Sequence, residues 1–154
     1  MAEIPRLNAM IGALEQGKPT FVTFTSAGID NAVALSTSKY DGIVFEMEHN
    51  PWDAPTLRDS LQYMLNRAQI LKTGTPAPGV TPMVRIPPNG SEMNQWVAKQ
   101  VLDSGVFGIV WPHVSTIEEA YKLGRVQIRL QGLPEHLTPV LIRRGDLPPL
   151  WLTP

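Results

Sequence analysis

Tyr40-Asp41-Gly42-Ile43-Val44-Phe45-Glu46-Met47-Glu48-His49 is an apolar run of strand composition that ends abruptly in two acids and a histidine. In a parallel α/β fold the apolar residues fill the sheet, and ionisable groups at the strand's carboxyl end face the mouth where substrates bind. The pattern recurs. Val80-Thr81-Pro82-Met83-Val84 runs into Arg85, and Gly108-Ile109-Val110-Trp111 runs into Pro112 and His113. Strand ends carrying His49, Arg85 and His113 are therefore expected to converge on one site.

The segments between these runs read as helices. Leu7, Met10, Ile11 and Leu14 lie on one helical face, and Gly17 is the stop signal. Phe21 to Thr25 is a β-branched and aromatic strand, followed by Ser26 as cap of a helix through Ala32, Val33 and Leu35. Asp53 caps a helix with Pro55 in its first turn and Leu57, Leu61, Met64 and Leu65 as its core face. A Pro-, Gly- and Thr-rich loop from Lys72 to Gly79 leads to the strand before Arg85. Beyond Ile86-Pro87-Pro88-Asn89-Gly90, Ser91 caps a helix that turns Met93, Trp96, Val97, Val101 and Leu102 inward and ends at Gly105. Ser115-Thr116-Ile117-Glu118 has capping-box spacing and opens a further helix, the fourth to follow a strand, through Ala120, Tyr121 and Leu123.

Consecutive strand-helix units call for an α/β fold with a parallel sheet. A doubly wound sheet and half of an eight-stranded barrel both fit, since a whole barrel takes about 250 residues and the chain has 154. No Gly-x-Gly-x-x-Gly follows the first strand and no Gly-Lys-Ser/Thr occurs, so no nucleotide cofactor is expected. A formal charge of -1 and a pI near 6.3 offer no basic field for nucleic acid or an anionic membrane. The absence of cysteine excludes disulfides and thiolate metal sites, and no run reaches the roughly 20 apolar residues of a spanning helix. A soluble, cytoplasmic protein is the expectation.

Three stretches carry more than composition: Tyr40 to Pro51, then Thr81-Pro82-Met83-Val84-Arg85-Ile86-Pro87-Pro88-Asn89-Gly90, then Gly105-Val106-Phe107-Gly108-Ile109-Val110-Trp111-Pro112-His113-Val114. Together, and in this order, they resemble the HpcH/HpaI aldolase/citrate lyase family, from about Leu7 to Gly124. The resemblance covers only the family's amino-terminal part. It implies the first half, four strands, of a TIM-type (β/α) barrel over residues 1–125, with a divergent, irregular proline-rich tail over 126–154. It also implies a class II, metal-dependent carbon-carbon lyase acting on the aldol adduct of a pyruvate-like 2-oxo acid and an aldehyde. Mg²⁺ or Mn²⁺ would be the cofactor, and a complete protein would be a homo-oligomer.

Carried over by residue, the resemblance makes His49 the catalytic base and Glu46 its orienting acid, at a place where the family usually has Asp. Arg85 matches the arginine that holds the oxo acid and the developing enolate oxygen, a task that suits its fixed fork of donors. Glu48 matches an acid beside the metal's water shell. Trp111 and His113 are expected to line the substrate site. The family's metal-binding Glu and Asp follow a Val-Gln-Ile-Glu and a Gly-Pro-x-Asp-Leu-Ser pattern, and neither occurs in this chain. Val126-Gln127-Ile128-Arg129 puts a cation where an acid is needed.

Plainer readings stand beside these. His49 can be a capping or surface histidine, and Arg85 can simply pair with Glu46 or Glu48 across neighbouring strand ends. His49, His113, Glu46 and Glu48 can also be weighed as a metal set of their own, though no close-spaced ligand pair on one helix supports it. Trp96, Met93 and Met64 read as core, whereas Trp52 follows His49 and can shape the mouth. The alternatives to an active lyase are a truncated, inactive copy and a small-anion-binding module that keeps Arg85 without chemistry.

Overall fold

The structure, a computed structural model, describes residues 7–88 and 95–120. Four parallel strands alternate with helices in the order α1 (Ala9–Glu15), β1 (Val22–Thr25), α2 (Ile29–Ser36), β2 (Gly42–Glu46), α3 (Ala54–Tyr63), α4 (Arg67–Thr73), β3 (Thr81–Arg85), α5 (Gln95–Ser104) and β4 (Gly108–Val110). The sheet order is β1-β2-β3-β4, so each strand pairs with its successor in the chain. The α/β fold expected from the sequence is present. Ser91, Met93, Tyr121, Leu123 and the segment 126–154 lie outside the described residues.

Side chains alternate across the sheet with period two, and the register decides which meet. Val44 pairs with Met83 and Met83 with Gly108, while Glu46 pairs with Arg85 and Arg85 with Val110. One face therefore carries Ile43, Phe45, Met47, Val84, Ile86, Ile109 and Trp111, which pack with Leu57 and Leu61 of α3 and Val97, Ala98 and Val101 of α5 in the main core. The opposite face carries Val22, Val44, Met83 and Val110, packed with Met10 of α1 in a second cluster. Glu46 and Arg85 continue this second face at the strands' carboxyl ends.

Two glycines set the spacing there. A Cβ on Gly42 would collide with Met10 Sδ and come within 3.1 Å of the Thr81 carbonyl oxygen, and one on Gly108 would come within 3.1 Å of Met83 Cγ. The methionines thus lie across positions that only glycine leaves open. Asp41 Oδ2 accepts the Phe21 N–H at 2.7 Å and ties the start of β1 to the turn before β2. Pro82 survives inside β3 because its N–H side faces β4, whose pairing begins only at Met83.

The helix boundaries follow local chemistry, with several departures from the sequence expectation. Asp53 caps α3 by accepting the Thr56 N–H at 2.9 Å, and Pro55 sits in the first turn as expected. Gly28, not Ser26, is the cap residue of α2, and its N–H donates to the buried Ser60 of α3. Leu65 is exposed rather than core, because Asn66 ends the α3 register and caps α4 through the Gln69 N–H. That helix takes up Lys72, the expected start of the loop, and stops at Gly74 in the left-handed region. Gln69 then fastens residues 77 to 79 by donating to the Ala77 carbonyl and accepting the Gly79 N–H. Trp96 is exposed, while Val97 and Val101 are buried as expected. The last capping box is shifted by one: Glu119 accepts from the backbone of Ser115 and Thr116, and Thr116 Oγ1 accepts from Glu119. No helix among the described residues is long and apolar enough to cross a membrane.

Candidate active site

The carboxyl ends of β2, β3 and β4 bring five ionisable side chains together. Arg85 Nη2 donates to Glu46 Oε2, and Arg85 Nη1 lies 3.0 Å from Glu48 Oε2. His113 Nε2 lies 2.9 Å from the other oxygen of Glu48, and His49 Nε2 lies 3.6 Å from Glu48 Oε2. Alternation explains the grouping. Met47 points into the main core, so Glu46 and Glu48 on either side of it turn to the face that carries Arg85.

Glu48 is the most enclosed of the charged groups, with its side chain 5% exposed, whereas those of His49 and His113 stand at the rim, 71% and 69% exposed. Two carboxylates at this depth are tolerable only with partners. Glu46 Oε1 accepts the backbone N–H of Glu48 at 2.7 Å and of His49 at 3.2 Å, which folds the chain tightly after the strand. Burial pushes the Glu46 carboxyl up, but the Arg85 hydrogen bond, the two backbone donors and the guanidinium charge outweigh it and hold the group below its ordinary value. Asn50 Nδ2 completes the turn, donating to the Glu46 carbonyl and to Ser26 Oγ at 3.2 Å each.

Arg85 is also held from below. Its guanidinium carbon lies 4.8 Å from the centroid of the Phe24 ring, a cation-π contact. Phe24 and Asn50 did not stand out in the sequence, although alternation along β1 places Phe24 on the face of Glu46 and Arg85. A cavity of about 310 Å³ opens beside the cluster, lined by Ser26, Ala27, Glu46, Asn50, Pro51 and Asp53 among others.

Two expectations need correction. Glu46 does not face the His49 imidazole; its carboxylate is taken by Arg85 and by backbone donors, and the acid beside the ring is Glu48. Trp111 does not line the site. It is 2% exposed within the main core, because the residue after Val110 points to the opposite face. The plain pairing of Arg85 is present with both carboxylates at once. Trp52 packs edge-on against Trp96, ring centroids 6.3 Å apart, and against the core.

The resemblance implies a divalent metal, and the described donors do not fit one. Among the described residues no group of three or more His, Cys, Asp or Glu side chains is placed to hold an ion. The two site carboxylates already answer to Arg85, and a cation at Glu48 would meet that guanidinium 3.0 Å from the carboxylate oxygen.

Residues 21–131 match the HpcH/HpaI aldolase/citrate lyase family. Two hydroxypyruvate/pyruvate aldolases, from Paraburkholderia phytofirmans and Roseobacter denitrificans, are each 28% identical over 120 residues, covering 77% of this chain. The chain spans 41% of the length of these relatives. A crystal structure of an HpcH/HpaI aldolase/citrate lyase family protein from Burkholderia cenocepacia superposes with a TM-score of 0.61 at 24% identity, covering 77% of this chain and 42% of that one. The motifs at Glu46 to His49 and around Arg85 and His113 all fall inside the matched span, and this chain belongs to the HpcH/HpaI aldolase/citrate lyase family.

Proposed function

We propose that the cluster is the oxo-acid site of a carbon-carbon lyase acting on the aldol adduct of a pyruvate-like 2-oxo acid and an aldehyde. The observation that carries this reading is Arg85, a guanidinium at the carboxyl end of the sheet, steadied by two carboxylates and an aromatic face, with two imidazoles at the rim. Arg85 binds the oxo acid's carboxylate and the oxygen on which enolate charge develops. His49 takes the proton from the adduct's hydroxyl. The carbon-carbon bond then breaks, the aldehyde leaves, and the bonding pair passes into the enolate, whose methylene takes a proton from the His49 cation to give the methyl of the oxo acid. Glu48, beside the imidazole, stabilises the cation that His49 becomes.

Pyruvate methyl exchange in D₂O, followed by NMR with and without Mg²⁺ or Mn²⁺, tests the reading. Slow exchange is expected that His49→Ala abolishes, together with pyruvate binding that Arg85→Ala abolishes. Binding that survives Arg85→Ala overturns it. Because the described donors do not fit a metal, a second reading as an anion-binding module stands beside the first. Arg85-dependent binding with no exchange under any condition assigns the chain to that module.

A further inference from the structure

We propose that His113 is a positioning residue that acts through Glu48, keeping Arg85 free to receive the oxo-acid anion. This rests on the reading of Arg85 as the anion anchor and goes beyond it by assigning a role to a group on a third strand end. Arg85 already faces two carboxylates, each a competitor for the incoming anion. What decides whether it can still bind substrate is how those carboxylates approach. A carboxylate free to turn would present both oxygens to the guanidinium fork, the geometry that makes arginine-carboxylate pairs strong. Neither carboxylate here is free to turn.

Glu46 meets Arg85 through Oε2 while its Oε1 is held by the backbone N–H groups of Glu48 and His49. Glu48 meets Arg85 through Oε2 while its Oε1 faces His113 Nε2 at 2.9 Å. A proton on Nε2, in the imidazolium or in that tautomer of the neutral ring, serves the contact. The remaining face of the cluster belongs to His49, whose Nε2 approaches the same Glu48 oxygen as Arg85 at a longer 3.6 Å. Each carboxylate is thus tied by the oxygen that Arg85 does not use.

The backbone at His113 supports the assignment. Its φ of 58° makes it the only non-glycine residue with positive φ among the described residues, a conformation that costs stability and clusters at functional sites. Pro112 precedes it, and the reversal after β4 turns the imidazole back toward Glu48 instead of continuing the strand direction. With His113 removed, Glu48 Oε1 is released and the carboxylate closes on Arg85 with both oxygens, which shuts out the anion.

The test is calorimetric titration of the whole chain with oxalate, a planar dianion shaped like the enolate of pyruvate. His113→Asn keeps a residue that accepts positive φ but cannot reach Glu48, and should weaken oxalate binding about tenfold, as expected when the anchor's donors are lost to an internal competitor. His113→Gln, whose amide nitrogen can stand in for Nε2, should recover most of the affinity. In a Glu48→Gln background, where no second carboxylate oxygen can compete, His113→Asn should have no further effect. Unfolding midpoints of all variants guard against global damage, and His113→Gly, which accepts positive φ and equally cannot reach Glu48, carries the test should His113→Asn fold poorly. Unchanged affinity in His113→Asn, or an equal loss in the Glu48→Gln background, overturns the proposal. Failure of Arg85→Ala to reduce oxalate binding overturns the anion-anchor reading itself, so the two failures are distinguishable.

Discussion

Glu46 and Arg85 are direct partners in the parallel register of β2 and β3, and the hydrogen bond from Arg85 Nη2 to Glu46 Oε2 joins their side chains where the strands end. Both are largely buried, with 13% and 25% of their side chains exposed. Backbone and side chain therefore specify the same pair, and the site is built into the sheet and not draped over it.

The first prediction follows from that burial. Arg85→Met leaves Glu46 and Glu48 facing each other without a cation, and should destabilise the chain by about 3 kcal/mol, at the lower end of what breaking a buried pair costs. Adding Glu46→Gln to the same chain should recover part of the loss, because one of the stranded charges is gone. Urea unfolding of the two single variants and the double variant measures both. An Arg85→Met cost near zero would mean that the cluster is solvated and its charges uncoupled.

Acid should weaken the fold through Glu46. Its carboxyl is held below the ordinary value in the folded chain, so the folded state favours the ionised form. The stability this contributes is fully present above the ordinary glutamate range and is lost as pH falls through the depressed value. Between neutrality and strongly acidic pH the parent chain should therefore lose more stability than Glu46→Gln, which has no proton to take up there. Parallel unfolding curves at each pH would show instead that the depression is not realised.

Two glycines should respond in opposite directions to the same substitution. Gly42→Ala drives a methyl into Met10 Sδ and the Thr81 carbonyl, and should cost about 1–3 kcal/mol as an overpacked core. Gly12→Ala, within α1 and with nothing near its added methyl, should stabilise by about 0.5–1 kcal/mol through helix propensity. Thermal unfolding of both variants decides whether the second face of the sheet is as tightly filled as the distances say.

The sheet was legible because its strands are nearly uninterrupted apolar runs, and Gly42 to Glu46 and Thr81 to Arg85 end where chemistry-bearing residues begin. Alternation also contained the answer for Trp111, since Val110 pairs with Arg85 and its successor must point the other way. The division of labour between Glu46 and Glu48 was not legible. It depends on which carboxylate Arg85 draws in from β3 and which oxygen His113 reaches from β4, and such contacts across strands leave no mark in the local sequence. The break between α3 and α4 escaped for a different reason. Asn66 competes with the helix through its own side chain, but Leu65 just before it fits the apolar period.

The last prediction concerns metal. In the parent chain Glu46 and Glu48 are engaged by Arg85, and a divalent ion approaching them meets a fixed positive charge. Mn²⁺ should therefore bind weakly, in the range of about millimolar that exposed oxygen sites show. Replacing Arg85 by an uncharged residue of similar length reverses the electrostatics: Glu46 and Glu48 lose their shared cation while Glu48 keeps His49 and His113 beside it, and although no three described groups are placed to hold an ion as they stand, these are of types that accept a divalent cation. Arg85→Met should thus tighten Mn²⁺ binding by about tenfold or more while oxalate binding falls, and His113→Asn in the same chain should take back part of the gain. Water-proton relaxation during Mn²⁺ titration reads the metal directly, without reliance on turnover. Tight Mn²⁺ binding by the parent chain that Arg85→Met leaves untouched would place the metal on donors other than this cluster.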